Sequence, residues 1–407
     1  MSNSPLAGLR VIELGSMLAA PFATHLLSQL GAEVIKVEPP AGDPTRSLVR
    51  GGPSGTFIAY SHGKKSVCLD LAQPAGRQAM HKLLAHSDAL VHNLAPRAAR
   101  KLGLTRPDCE AANPRLLYCQ IRGYGPGPQE DDLASNPVAE AATGVMDANR
   151  VDGRPSRLGP SYHDQFAGAY AVIGLLAALL QRAQGKPAGA VEVGLYETGL
   201  HVAARDLVGV QLKTQLLGRP EREPHGEFSM PGYGAYATSD GRWVYLLILT
   251  DGHWQKFCLA MGLAADPALA SLKQRKKVRL QVEHMVKQAI GAFSFDDAAA
   301  RLREAGLGFT EVLPLERVLE TPQARHPGKL QPVHFRTLDF EVPAFPVAAE
   351  PGGPAGDLPP AELGQHTCEV LEAAGVSAAE CEQLLATGGA HTPQDRAFAW
   401  APVRPAG

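Results

Sequence analysis

The chain has 407 residues, 45% of them apolar and 20% charged, with a formal net charge of -2. That length exceeds what one hydrophobic core organises, so two domains are expected. The near-neutral balance excludes a strong basic field for nucleic acid or an anionic membrane surface.

Six scattered cysteines without CxxC spacing (Cys68, Cys109, Cys119, Cys258, Cys368 and Cys381) suggest neither a zinc site nor a disulfide framework. No metal is expected, and a reducing cytoplasm fits. The first six residues lack a basic segment followed by an apolar core, so no signal peptide is expected.

Residues 9–14 read as a strand, 20–30 as a helix ending at Gly31, and 33–38 as a second strand. A connection of that length suits a helical crossover, which favours parallel pairing and a layered α/β domain. Gly15-Ser16-Met17-Leu18-Ala19-Ala20 offers one glycine where a dinucleotide fingerprint needs three, which argues against a nicotinamide-dependent dehydrogenase. The alternation continues with a strand at 66–71, a helix at 76–86, and strands at 89–92 and 115–121. Asn93 follows a strand directly; it either faces the cleft beyond the strand ends or caps the next helix.

Residues 123–157 are rich in Gly, Pro, Asp and Asn, with a short helix at 137–142. Arg122, Arg150, Arg154 and Arg157 read either as solvated cations or as a clamp for a small carboxylate. The apolar run at 169–180 is too long for a strand, falls short of the ~20 residues of a membrane span, and reads as a buried helix. Asp164 therefore stands near a helix N-terminus, where unpaired N–H groups and the macrodipole favour an anion. It is either the N-cap or a carboxylate nucleophile aimed into a cleft.

Beyond it come a strand at 191–195, a helix at 196–216 and a polar boundary at 218–232. Strands around Tyr236 and at 243–249, with helices at 252–261, 278–292 and 296–305, make a second, smaller α+β domain. A Pro-rich stretch at 342–360 leads to a helical end at 368–385, and 386–407 reads as a disordered tail.

Several phrases stand together in order: Pro5-Leu6-Ala7-Gly8-Leu9-Arg10-Val11, Leu30-Gly31-Ala32-Glu33-Val34-Ile35-Lys36-Val37-Glu38-Pro39, Gly42-Asp43-Pro44-Thr45-Arg46 and Lys64-Lys65-Ser66-Val67-Cys68-Leu69-Asp70-Leu71. Asn93 with Pro96, Lys101-Leu102-Gly103-Leu104, the Asp164 stretch and Leu363-Gly364-Gln365-His366-Thr367 complete the set. From about residue 5 to about residue 385 the chain resembles the family III CoA-transferases, the CaiB/BaiF family of formyl-CoA transferase and carnitine CoA-transferase. The resemblance implies a Rossmann-like large domain built from both chain ends, a smaller α+β domain inserted in it, and two chains threaded through each other as an interlocked homodimer. The expected limits are 1–220 and 331–385 for the large domain and 221–330 for the small one.

Asp164 aligns with the family's catalytic aspartate, which implies transfer of coenzyme A from an acyl-CoA to a free acid through an aspartyl-CoA thioester. By position, Ser16, Leu18, Ala19, Pro39, Leu69, Asn93, Leu94, Lys101 and Asn136 would line the CoA site. Lys101 stands where relatives carry arginine, and Leu133 and Ser135 where many transferases carry a basic residue and a tyrosine. Arg46, Arg150, Arg157, His163 and Gly232 are the candidates for binding the acceptor acid. A C4 or C5 dicarboxylate with succinyl-CoA or a similar ester as donor is expected, or transfer within one molecule such as mesaconyl-CoA. Two rivals stand beside this. One is a 2-methylacyl-CoA racemase, whose histidine would fall near Ser135 although residues 93–162 hold no histidine; the other is a non-catalytic acyl-CoA binding protein.

Overall fold

The computed structural model describes residues 4–49, 52–218, 230–347 and 358–393. In chain order they begin with β1 (Arg10–Leu14), α1 (Ala19–Gln29), β2 (Glu33–Glu38), α2 (Gly55–Ser61), β3 (Lys64–Leu69), α3 (Pro74–Ala85), β4 (Ala89–His92), α4 (Pro96–Leu102), α5 (Arg106–Ala112), β5 (Leu117–Arg122) and α6 (Asn136–Ala142). The middle holds α7 (Val145–Ala148), the hairpin β6 (Arg150–Val151) and β7 (Arg154–Pro155), α8 (Tyr162–Ala183), β8 (Val191–Gly194), α9 (Leu195–Val202) and α10 (Ala204–Leu217). Then come β9 (Tyr233–Ala237), β10 (Trp243–Leu247), α11 (Asp251–Ala260), α12 (Leu272–Lys277), α13 (Arg279–Gly291), α14 (Phe295–Glu304), β11 (Phe309–Glu311), α15 (Leu315–Val318), β12 (Leu330–Phe335), β13 (Leu338–Pro343), α16 (Thr367–Ala373), α17 (Ala378–Ala386) and β14 (Ala390–His391).

Two compact units result, the first from Met1–Asp147, Arg157–Arg205 and Pro327–Gly407, the second from Ala148–Ser156 and Asp206–His326. The limit near residue 205 falls inside helix α10, between Arg205 and Asp206. The boundary expected at 218–232 lies mostly outside the described residues.

In the first unit the strands order β14-β3-β2-β1-β4-β5-β8, all parallel except β14, which runs antiparallel to β3. Alternation along each strand feeds two cores. Ile12, Ile35, Val67 and Leu90 face α3, α16 and α17, while Val11, Val34, Val91 and Leu117 face α1 and α8. Helices α1 and α8 approach closely because small residues meet: a Cβ on Gly168 would lie 2.8 Å from the Ala19 carbonyl oxygen. Order reverses at β1, whose neighbours β2 and β4 lead outward in opposite directions, so a crevice opens between the loops that leave β1 and β4.

A fully buried ion network braces that end of the sheet. Lys36 Nζ donates to Glu13 Oε1 (2.5 Å), Asp43 Oδ2 (2.8 Å) and the Gly15 carbonyl (2.9 Å), and Lys64 Nζ donates to Glu13 Oε2 (2.7 Å). Burial opposes ionisation of Glu13, but the two ammonium groups overcome it and hold the carboxyl down at about 2.

The second unit is built on the antiparallel sheet β11-β10-β9, with Val244, Leu246, Phe257, Val282, Ile290 and Leu302 in its core.

Several elements differ from the sequence reading. Helix α8 starts at Tyr162 rather than 169, because the polar turn before the apolar run is helical as well. It is also half-exposed rather than buried: Ala167, Ala171, Leu175 and Ala178 pack inward, while Phe166, Ile173 and Leu180 face out. Among the described residues it is the one helix long and apolar enough to cross a membrane; here it lies along α1. The helix expected at 196–216 breaks at Ala203, and the end expected at 368–385 breaks at Gly375, whose φ is +79°. Part of the stretch read as a disordered tail is ordered: Ala390–His391 adds a strand beside β3, and residues 394–407 lie outside the described residues.

Candidate active site

A cavity of about 450 Å³ lies in the first unit beyond the carboxyl ends of β1, β4 and β5. Its walls are Met17 to Ala19 after β1, Asn93 to Pro96 after β4, and Ile121 to Gly123 after β5. The start of α6 (Ser135, Asn136, Pro137) and the start of α8 (Ser161, Asp164) close it. Helices α1 and α8 both begin here, and neither has a side-chain cap from its own N-cap residue, so two positive dipole ends face the same space. Such a wall favours an anion, or an oxygen that becomes one.

Asp164 occupies the third position of α8, so the N-cap reading is corrected: Ser161 is the N-cap. The carboxylate is half-buried at the cavity wall and, among the described residues, nothing hydrogen-bonds or ion-pairs with it. Burial pushes its pKa up to about 6, the Glu140 carboxylate adds to the rise, and the Arg157 guanidinium pulls against both. At neutral pH it is mostly ionised yet poorly solvated, the state in which a carboxylate is a useful nucleophile.

Asn136, buried at the first turn of α6, accepts through Oδ1 from the backbone N–H of His163 (3.0 Å) and of Asp164 (3.3 Å). Its Nδ2 donates to Glu140 Oε1 at 2.5 Å, and Glu140 Oε2 accepts from Leu158 N at 3.3 Å. Glu140 is fully buried and escaped the sequence reading; the signal was an Asn and a Glu four apart on one short helix.

Of the residues assigned to the CoA site, Leu18, Ala19, Asn93, Leu94 and Asn136 line the cavity. Asn93 is neither a cap nor a free ligand group, since it accepts from Ser16 N (3.0 Å) and donates to Ser16 O (2.9 Å), tying the β1 and β4 loops together. Ser16 thus acts through its backbone. Leu69 is wholly buried beside Ala390 and is a core residue, a correction that follows because β14, which the sequence did not reveal, lies against the end of β3. Pro39 and Lys101 are exposed and do not line the cavity.

Among the acceptor candidates, Arg157 lines the cavity. Arg46 does not: its guanidinium grips Glu38 through Nε (2.6 Å) and Nη2 (2.7 Å), donates to the Ala361 carbonyl and lies over Phe57, so a substrate role is corrected to a structural one. His163 is also turned away, buried with Nε2 at 3.4 Å from Thr143 Oγ1. Burial lowers its pKa, leaving a neutral ring that packs against Gly199. Arg150 and Gly232 belong to the second unit. There Arg150 donates to Gly153 O (2.6 Å), and Gly232, at φ +81°, has no room for a Cβ beside Ile248.

Lining residues that the sequence reading missed include Thr45, Leu48, Thr56 and the acidic run Glu130 to Asp132. Arg122 lines the cavity as Arg157 does; its Nη2 donates to Glu130 O at 3.0 Å, and the carboxylates of Glu130 and Glu192 lie 3.9 and 3.8 Å from its guanidinium. Among the described residues that line the cavity there is no histidine, the residue type that a racemase would use as an acid/base partner.

A family model described as CoA-transferase family III matches residues 6–367. A relative from Chloroflexus aurantiacus named succinyl-CoA--D-citramalate CoA-transferase is 29% identical over 386 residues, covering 90% of this chain and 93% of its own length. Succinyl-CoA:glutarate CoA-transferase of Mus musculus is 31% identical over 408 residues, covering 95% and 90%. Among solved structures, a CAIB/BAIF family protein from Brucella suis superposes with a TM-score of 0.82 at 26% identity, covering 91% of this chain and all of that one. With the parallel sheet, the cavity at its order reversal and the aspartate at the mouth of α8 in place, the chain belongs to CoA-transferase family III and is a CoA-transferase enzyme.

Proposed function

We propose that the enzyme moves CoA from an acyl-CoA thioester to a free carboxylic acid with Asp164 as the transient carrier. The supporting observation is its carboxylate: ionised, poorly solvated, unpartnered, and set in a cavity where helix dipoles favour developing negative charge. An Asp164 oxygen attacks the thioester carbonyl carbon, and collapse of the adduct breaks the C–S bond, giving an acyl-aspartyl anhydride and CoA thiolate. The thiolate attacks the aspartyl carbonyl; the donor acid leaves as carboxylate and an aspartyl-CoA thioester remains. The acceptor carboxylate attacks that thioester carbonyl, expelling thiolate, and the thiolate attacks the acceptor's carbonyl in the new anhydride. The new acyl-CoA departs and the Asp164 carboxylate is restored.

The substrates we assign are small dicarboxylates with succinyl-CoA as donor. The names of the relatives support this, and so do Arg122 and Arg157, two cations at the cavity suited to a second carboxylate. We also take the enzyme to be a homodimer in the interlocked form of its family, supported by the outward apolar side chains of α8, and to act in a reducing cytoplasm, supported by its free thiols.

Incubation with succinyl-CoA, hydroxylamine quenching and peptide mass spectrometry should place a hydroxamate on Asp164, and Asp164→Ala should abolish both the label and exchange. Undiminished exchange in that variant refutes the mechanism, and exchange confined to monocarboxylate acceptors refutes the substrate class.

A further inference from the structure

Ser161-Tyr162-His163-Asp164 spells a capping box, in which the N-cap hydroxyl accepts from the third amide while the third side chain reaches back to the N-cap amide. Among the described residues three other helices close that box: Thr105 with Asp108, Ser271 with Gln274, and Ser377 with Glu380. Helix α8 leaves it open. Ser161 makes no capping hydrogen bond, its ψ of 69° departs from the extended backbone of the other three N-caps, and the Asp164 carboxylate has no partner.

The amides at the second and third positions are satisfied from outside the helix, by Asn136 Oδ1 at 3.0 and 3.3 Å. The orientation of that amide is fixed from behind, because Glu140 accepts from Nδ2 and leaves Oδ1 to face α8. Asn136 is 3% exposed and Glu140 fully buried, so water cannot readily replace either arm.

We infer that Asn136 is a positioning residue: it caps α8 across the fold in place of the box its sequence encodes, and so keeps the Asp164 carboxylate out of its own helix and available to substrate. This rests on the reading of Asp164 as the nucleophile. In Asn136→Ala the freed third amide can turn to the Ser161 hydroxyl and close the box, which draws the Asp164 carboxylate back to the Ser161 amide, and a carboxylate that accepts a backbone N–H is both less nucleophilic and more acidic. Asn136→Asp keeps an acceptor oxygen on α8 but adds negative charge next to Asp164.

The test is pre-steady-state aspartyl-CoA formation with succinyl-CoA across pH, scaled to the folded fraction. Asn136→Ala should lower the rate of thioester formation about five- to tenfold, the factor one cap is worth, with KM for succinyl-CoA unchanged and the acidic limb displaced to lower pH. Asn136→Asp should displace that limb to higher pH. Opposite displacements cannot come from a loss of fold alone. If wild type forms the aspartyl-CoA adduct while both variants keep its acidic limb, or if the Asn136→Ala loss lies wholly in KM, the positioning role is overturned. If wild type forms no adduct, the reading of Asp164 has failed instead.

Discussion

Replacing Asp164 by asparagine should inactivate the enzyme and at the same time stabilise it above neutral pH. The carboxyl is displaced from 3.8 to about 6, chiefly by burial and then by Glu140. That is close to two decades of proton affinity, and at ~1.4 kcal/mol per decade the ionised native form carries a penalty of roughly 3 kcal/mol. The sign follows from proton binding. Between pH 3.8 and about 6 the native state holds the proton that the unfolded chain has released, so stability falls as pH rises through that window. Below it the native state has no penalty, and above it the penalty is complete. Asparagine cannot ionise, so Asp164→Asn should melt several degrees above wild type at pH 8 and level with it near pH 3.5. Thermal melts of both proteins between pH 3.5 and 8 measure this directly. A difference that does not change with pH, or a variant less stable than wild type at pH 8, would refute the claim that the carboxylate is held ionised in a poorly solvating site.

Glu140→Gln keeps an acceptor for Asn136 but removes the charge that helps raise Asp164, so the acidic limb of kcat/KM should move to lower pH, read from a pH–rate series. Arg46→Ala strands the Glu38 carboxylate in the interior; denaturant titration should show a loss of about 3–5 kcal/mol, whereas a substrate-binding arginine would raise the KM of the acid and leave stability alone. Gly168→Ala places a methyl group 2.8 Å from the Ala19 carbonyl, so α1 and α8 must part. A destabilisation of about 1–3 kcal/mol should accompany a higher KM for acyl-CoA, because Ala19 lines the cavity.

Much of the first unit was legible in the sequence because its parallel strands are short apolar runs set off by glycine and by helical periodicity, signals that depend only on neighbours along the chain. Strand β2 and strand β4 fall at the limits their residues suggest, and β1, α1 and α3 differ by only a residue or two at their ends. The elements that were missed lack such local marks. The two residues of β14 acquire a strand only by meeting β3, and the hairpin β6–β7 has two residues on each side.

The site divides in the same way. Sequence alone, through an ordered set of phrases and one acidic residue before an apolar run, determined the family and the parallel α/β layout and singled out Asp164, the carboxylate we propose as the carrier, since each of these is written in contiguous residues. It could not tell an arginine that meets substrate from one that clamps a buried glutamate, and Arg46 looked as available as Arg157. Nor could it show that Asn136 reaches across to α8, that Glu140 stands behind it, or that the capping box around Asp164 stays open. Those facts belong to tertiary structure, because burial and long-range hydrogen bonds fix the charge, solvation and direction of a side chain whose identity the chain has already specified.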